Sequence, residues 1–324
     1  MRTTVFKGQG VIVTGEAAEP EVAEGEVLLR VRHTALCGSD IRLWREGASV
    51  TPGHEIFGVV DMPGHRLHGT RQVVYIPVHC GECDSCRAGD TQMCLNTSVL
   101  VGWNRPGGYA ECLAVPETCL LPVPDDIEDR LAPLLLDTIG TSAHGVRFIS
   151  PLVPPAGDPP VLVMGAGPVG LGVIIALRDT GYRNIQVIDL KPERLALAEK
   201  FGAKPCPVDG AGQRFKLIME CSGAHAARDQ AIPAILPRGA IVLIGENSKP
   251  WTINEDKTFR RKDFYMVRTF YFPKTDHPAN CDLLRRKKDS FRILVDAEFG
   301  FETFNDGFAR FVAGKHVKPL FSAG

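Results

Sequence analysis

The 324-residue chain lacks long hydrophobic runs, and its amino terminus lacks the apolar segment of a secretory signal peptide. The longest apolar candidate, residues 169–177, is about half as long as a membrane-spanning helix must be. These absences predict a soluble, cytoplasmic protein without a membrane partner.

Neither sign of charge dominates, because 37 basic side chains face 38 acidic ones and the net charge is −1. This balance argues against a nucleic-acid partner, whose phosphates attract strongly basic surfaces. Internal repeats and low-complexity segments are absent as well. The length and the 44% hydrophobic content predict about two domains with sizeable cores.

Two changes of composition suggest joints, at residues 150–160, which include five prolines, and at residues 272–278. Before the first, short runs such as EVLLRVRHT predict a β-rich, barrel-like region. Between the two, apolar strands alternate with helical runs, which is typical of a parallel sheet built from βαβ units. After the second, FNDGFARFVAG predicts an amphipathic helix and VKPLF a last strand.

Four of the ten cysteines, Cys80, Cys83, Cys86 and Cys94, follow the spacing C-x2-C-x2-C-x7-C. Disulfides are not expected in a reducing cytosol. Thiolates this close in the chain can surround one tetrahedral zinc ion and leave no open position, so such a site would be structural. An iron–sulfur cluster is the alternative, because iron also accepts four thiolates.

A second metal site is suggested by Cys37, within LCGSD, and His54, within PGHE. A catalytic zinc takes three protein ligands and keeps one position open. Thiolate and imidazole are suitable ligands, and their separation in the chain predicts that they lie on different elements. Each residue alone is more typical of a buried cysteine or of a hydrogen-bonded histidine, so the pair is a hypothesis at this point.

The pattern G-x-G-x-x-G at Gly165, Gly167 and Gly170 follows an apolar strand and precedes a helix. In that context the glycines let backbone amides approach a pyrophosphate at the helix N-terminus. Asp189, about 20 positions further on, is placed to accept hydrogen bonds from the adenosine ribose. Its charge would repel a 2′-phosphate and favours NAD over NADP, although nearby Arg194 weakens that preference.

The order of these features resembles that of the zinc-dependent medium-chain dehydrogenase/reductase superfamily, which includes alcohol, sorbitol and related polyol dehydrogenases. The resemblance also covers GGYAE at residues 107–111 and the carboxy-terminal FNDGFARFVAGK. It argues against an iron–sulfur cluster.

The resemblance implies an α/β protein with two domains. A GroES-like, β-rich catalytic domain would comprise residues 1–138 and be completed by residues 273–324. A Rossmann-type domain with a doubly wound parallel sheet would occupy residues 139–272. Two zinc ions per chain, one catalytic and one structural, NAD and a homodimer or homotetramer are also implied.

For the catalytic zinc, the resemblance implies Cys37 and His54 as ligands and Glu55 as a carboxylate that approaches or replaces the water on the metal. The third ligand is expected seven residues before His144, which is Asp137. This shorter side chain either binds the zinc directly or holds the water on it. The residues expected to contact the cofactor are Gly165, Gly167, Pro168, Val169, Gly170, Asp189, Arg194, Thr141, Ser222 and Gly245.

The implied reaction is hydride transfer between a secondary alcohol, polyol or sugar-like hydroxyl and NAD(H), with Ser39 passing the proton. The family often has a relay histidine where this chain has Arg42, and a guanidinium does not shuttle protons near neutral pH. Asp40, beside Ser39, is either an orienter of a metal ligand or a turn residue. Two alternatives remain: a catalytically silent NAD-binding regulator, and a zinc-free quinone or enoyl reductase.

Overall fold

In a computed structural model of the chain, the described residues are 1–208, 212–253 and 257–324. They form two compact units. The first comprises Met1–Leu136 and Pro273–Gly324, and the second comprises Asp137–Phe272. No helix within these described ranges is both long and apolar enough to cross a membrane.

The amino-terminal part of the first unit consists mainly of short strands. The strands are β1 (Arg2–Gly8), β2 (Val11–Glu16), β3 (Glu26–Ala35), β4 (Glu55–Val60), β5 (Arg71–Val74), β6 (Cys112–Pro116) and β7 (Leu120–Pro122). The helices are α1 (Asp40–Glu46) and α2 (Asp84–Arg87). The β-rich region predicted from the sequence is therefore present.

The second unit alternates helices and strands along the chain. Its helices are α3 (Ser142–Ile149), α4 (Pro168–Thr180), α5 (Pro192–Lys200), α6 (His225–Ala234) and α7 (Lys257–Arg260). Its strands are β8 (Val161–Met164), β9 (Ile185–Ile188), β10 (Lys204–Pro205), β11 (Phe215–Glu220), β12 (Ile235–Leu243) and β13 (Tyr265–Arg268). A short π-helical segment, Asp137–Thr141, precedes α3.

The carboxy-terminal part returns to the first unit. It contains α8 (His277–Arg286), α9 (Lys288–Leu294), β14 (Glu298–Phe299), α10 (Phe304–Val312) and β15 (Leu320–Ser322). On α10, three phenylalanines share one buried face at helical spacing, namely Phe304, Phe308 and Phe311. They confirm the amphipathic helix that the sequence predicts.

The first unit is held together by antiparallel pairing between distant parts of the chain. Its larger sheet has the order β14-β15-β3-β4-β5-β7, and β6 also pairs with β3. The returning strand β15 is antiparallel to β3, with Phe321 opposite Thr34. The stacked rings of Phe6 and Tyr109, with centroids 5.8 Å apart, belong to the aromatic core beneath α10.

The second unit is built on a parallel sheet with the order β10-β9-β8-β11-β12-β13. Every residue of β8 is buried, as expected of a strand that helices cover on both faces. The sheet order changes direction at β8, because β9 lies on one side of it and β11 on the other. In open α/β sheets, ligands bind beside the carboxyl ends of the strands at such a point.

One prediction is wrong in position. The proline-rich residues 150–160 were expected to join two domains, but they lie inside the second unit, between α3 and β8. Prolines stop regular structure wherever a loop is needed, including within a domain. The chain passes from the first unit to the second at Leu136 and Asp137, a stretch of regular, apolar sequence.

Candidate active site

The four clustered cysteines converge at one point of the first unit. The sulfur atoms of Cys80 and Cys86 are 4.0 Å apart, those of Cys83 and Cys94 are 4.0 Å apart, and those of Cys80 and Cys94 are 3.6 Å apart. A tetrahedral zinc bound by four thiolates requires sulfur–sulfur distances of about 3.8 Å, given a zinc–sulfur bond of ~2.3 Å. The arrangement fits a closed, four-thiolate metal site.

Backbone amides are aimed at these sulfurs and favour negative charge on them. The Leu95 N–H lies 3.4 Å from the Cys83 sulfur and contributes most to lowering the pKa of that thiol to about 6. Burial, together with the neighbouring Cys83, raises the pKa of Cys86 to about 12. Negative charge is therefore favoured at Cys83, whereas ionising Cys86 requires a compensating cation.

A second cluster contains Cys37, His54, Glu55 and Asp137, whose potential ligand atoms all lie within 4.8 Å of one another. Cys37 follows β3, His54 immediately precedes β4, and Glu55 is the first residue of β4. The antiparallel register places Ala35 opposite Glu55, so the two strand ends meet. Asp137 follows Leu136 directly, where the chain leaves the first unit. Sulfur, imidazole nitrogen and carboxylate oxygen form a donor set that suits zinc.

His54 is held by a buried carboxylate. Its Nδ1 lies 3.1 Å from Oδ1 of Asp40, and both side chains are almost entirely inaccessible to solvent. The hydroxyl of Tyr109 donates to Oδ2 of Asp40 at 2.7 Å. Burial, followed by the charge of Asp40, raises the pKa of Tyr109 well above its ordinary value, so this donor stays protonated. Nδ1–H of His54 therefore donates to Asp40 and leaves Nε2 as the nitrogen for a metal.

Ser39 stands beside the two central ligands. Its hydroxyl lies 3.2 Å from the sulfur of Cys37 and 3.4 Å from Nε2 of His54. The carboxylate of Asp40 contacts both Nδ1 of His54 and the backbone N–H of Cys37, so the geometry is compatible with both expected roles, orienter and turn residue. The LCGSD segment thus supplies a ligand, a hydroxyl and the support for a second ligand.

Sequence analysis missed Lys318. Its ammonium group forms an ion pair with Oε1 of Glu55 and also donates to the carbonyl of Leu36 at 3.1 Å. Both charged side chains are buried, with 1% and 0% of their surfaces exposed. The one signal in the sequence was a lysine within VKPLF, just before β15. Its partner is 263 positions away, so only the fold reveals the pair.

In the second unit, the glycine turn follows β8 and leads into α4. Gly165 has a left-handed φ of +95°, and a Cβ on Gly170 would overlap the carbonyl oxygen of Gly165. A Cβ on Gly167 would meet nothing within 4 Å, so space is open at the N-terminus of α4. These features fit a dinucleotide phosphate next to exposed amides.

Asp189 follows β9 and supports the same turn. Its Oδ2 accepts the Ala166 N–H at 2.7 Å, and its Oδ1 accepts the Lys191 N–H at 2.9 Å. A carboxylate has further lone pairs for a ribose. Arg194, an expected cofactor contact, is buried, with only 7% of its surface exposed.

The remaining predicted cofactor residues lie around the same unit. Pro168 and Val169 form the first turn of α4, and the Val169 carbonyl accepts a hydrogen bond from Ser142. Ser222 follows β11, where its N–H and its hydroxyl both donate to Oε1 of Glu220 at 2.7 Å. Gly245 follows β12, and a Cβ there would overlap the Gly223 backbone. Thr141 ends the π-helical segment.

Comparison with known proteins agrees with this architecture. The family model of the alcohol dehydrogenase GroES-like domain matches residues 23–125, and the model named zinc-binding dehydrogenase matches residues 168–285. An L-threonine 3-dehydrogenase of Klebsiella pneumoniae subsp. pneumoniae is 31% identical, and the alignment covers 97% of this chain and 96% of that protein.

Solved structures share the fold. An alcohol dehydrogenase from Thermus sp. ATN1 superposes with a TM-score of 0.90 at 24% identity, over 100% of both chains. An Escherichia coli CFT073 protein described as a short chain alcohol dehydrogenase, complexed with NADH, has a TM-score of 0.87 at 24% identity over 100% of this chain and 99% of that one. The expected fold, GroES-like and Rossmann-like, is confirmed, and the chain belongs to the zinc-dependent medium-chain dehydrogenase superfamily.

Proposed function

We propose that the protein is an NAD(H)-dependent dehydrogenase that transfers hydride between a small secondary alcohol, polyol or sugar-like compound and nicotinamide. The observation that carries the proposal is the convergence of Cys37, His54, Glu55 and Asp137, with Nδ1 of His54 held by Asp40. Membership of the superfamily establishes an oxidoreductase of the alcohol dehydrogenase type. The substrate class and the preference for NAD(H) are proposals.

The residues have separate tasks in this scheme. Cys37, His54 and Asp137 would hold a catalytic zinc, with Glu55 as a further carboxylate beside it. When bound, zinc supplies a Lewis acid for the substrate oxygen, and NAD supplies the hydride acceptor. Ser39 would relay the hydroxyl proton, its Oγ accepting that proton while its own O–H proton passes on, since this atom lies next to both Cys37 and His54. Solvent then takes the proton, because Arg42 cannot.

NAD is proposed over NADP because the carboxylate of Asp189 lies at the end of β9, where a 2′-phosphate would be repelled. The predicted cofactor contacts at the glycine turn, Ser222, Gly245 and Thr141 belong to the same proposal. The four clustered cysteines would hold the structural zinc, which makes two zinc ions per chain. The two compact units would be the catalytic and the cofactor-binding domains.

A secondary hydroxyl is supported by the relative from Klebsiella pneumoniae, whose name places its reaction at carbon 3 of L-threonine. We further propose a cytoplasmic homodimer or homotetramer. A reducing compartment suits the clustered thiols. Strand β13 is the last in its sheet, and the exposed side chain of Tyr265 on it is available for contact with a second copy.

The test is turnover by zinc-loaded protein. We expect NADH formation, followed at 340 nm, with members of a panel of secondary alcohols, polyols and 3-hydroxy acids, and a higher kcat/KM with NAD⁺ than with NADP⁺. Cys37→Ser should abolish turnover while NADH binding persists. Protein that holds two zinc ions and binds NADH, yet turns over no member of the panel in either direction, would support the silent regulator instead.

A further inference from the structure

Arg42 is an exposed cation without an acidic partner. It lies on α1, and no carboxylate in the described part of the chain is within ion-pair distance of its guanidinium. Most other arginines of the first unit, such as Arg30 and Arg71, are paired with aspartate or glutamate. An unpaired arginine next to a candidate active site is available for an external anion.

The guanidinium of Arg42 lies next to the ring of Trp103. The guanidinium carbon of Arg42 lies 5.6 Å from the centre of the Trp103 ring, and the same ring lies 5.3 Å from the centre of the His54 ring. The Trp103 ring is therefore a neighbour of both the cation and a candidate zinc ligand. Attraction between the cation and the ring holds the flexible Arg42 side chain near Trp103.

Together the two distances place the Arg42 charge within about 11 Å of the His54 ring centre. A small molecule whose hydroxyl sits at the Cys37–His54 cluster can present an anionic group to Arg42 across this separation. Arginine binds carboxylates through two parallel hydrogen bonds, which lysine cannot reproduce.

We propose that Arg42 is a specificity-determining residue that binds the carboxylate of a small hydroxy acid while its hydroxyl is oxidised. The inference rests on the proposed dehydrogenase function and narrows its substrate class. An anionic group could also come from the cofactor pyrophosphate. The backbone amides at Gly167 and the N-terminus of α4 already provide for that group.

The experiment compares 3-hydroxybutyrate with its neutral isostere 3-hydroxybutyramide, using NAD⁺ and zinc-loaded protein. The wild type should prefer the acid, and Arg42→Met should lower kcat/KM for the acid roughly 10- to 100-fold. The amide should change less than about threefold. Arg42→Lys should recover only part of the loss, because it keeps the charge but not the planar fork. Arg45→Met, on the same short helix, is the matched control for removal of one positive charge.

Two further measurements distinguish a wrong role for Arg42 from a wrong proposed function. NADH affinity, measured by fluorescence, should be the same in the wild type and in Arg42→Met; a marked loss there would assign Arg42 to the cofactor and overturn the inference. Calorimetric titration of the zinc-loaded protein with 3-hydroxybutyrate should detect binding that Arg42→Met removes. If neither compound is turned over, the wider substrate panel decides the proposed function, and this titration decides the anion site. Equal use of acid and amide by the wild type would overturn the inference alone.

Discussion

Oδ1 of Asp40 lies 3.1 Å from Nδ1 of His54, and both groups are buried. The contact selects the imidazole tautomer, because Nδ1 must carry the proton that Asp40 accepts. It also leaves Nε2 directed at the candidate metal position beside Cys37 and Ser39. A carboxylate behind a metal-binding histidine raises the basicity of the ligand and fixes its ring.

Asp40→Asn should preserve the shape of the side chain that contacts His54 and remove its negative charge. We expect kcat/KM to fall about 10- to 100-fold and the catalytic zinc to be lost more readily to a chelator. Zinc content after dialysis and steady-state kinetics measure both effects. Tyr109→Phe is the matched control, since it removes the hydroxyl that contacts Asp40 and should have a smaller effect. Unchanged zinc retention in Asp40→Asn would contradict the orienting role.

The buried pair of Lys318 and Glu55 predicts an asymmetric effect on stability. Lys318→Met leaves a buried carboxylate without its cation, and the free energy of unfolding should fall by about 3 kcal/mol. Adding Glu55→Gln should restore part of that loss, because the unpaired charge is then gone. Urea denaturation of the zinc-loaded proteins tests this. The effect of Glu55→Gln on stability is measured in the wild type and in the Lys318→Met protein. If the two effects are equal, the two residues are not coupled.

Cys86→Ser should remove the structural metal while the catalytic site keeps its ligands. We expect zinc content to fall from about two to about one per chain, and the melting temperature to drop, because metal binding contributes directly to the stability of such a loop. Cys112→Ser is the control, since Cys112 is a cysteine of the same unit outside the cluster. Visible absorption typical of iron–sulfur clusters in purified wild-type protein would refute the zinc assignment.

Replacing two glycines of the turn by alanine, one at a time, tests the candidate nucleotide site. Gly167→Ala has open space for its Cβ, so the melting temperature should hold while NADH affinity falls at least roughly tenfold, because the methyl group would occupy the position proposed for the pyrophosphate. Gly170→Ala meets the carbonyl of Gly165 and should destabilise the unit itself. Fluorescence titration with NADH and thermal unfolding separate the two effects. Normal NADH affinity in Gly167→Ala would place the phosphate elsewhere.

Some features could be predicted because all their determinants are close together in the chain. The four cysteines fall within fifteen residues, so their spacing alone limits how they can fold around an ion. The glycine turn sits between its own strand and helix, and the alternation of strands and helices around it indicates a parallel sheet. The joint was misplaced for the opposite reason, since prolines mark loops and carry no information about which unit a loop belongs to.

Other features were decided by the tertiary structure alone. Tyr109 reaches Asp40 across 69 positions of sequence, and Lys318 reaches Glu55 across 263. A single sequence says which residues could serve as ligands or ion-pair partners, because that depends on side-chain chemistry. Which of them meet depends on strand register, such as the pairing of β15 with β3, and on what is buried together. Local chemistry thus named the candidate metal-binding and nucleotide-binding residues, while the fold selected the partners that lie beside them and neutralise their charge.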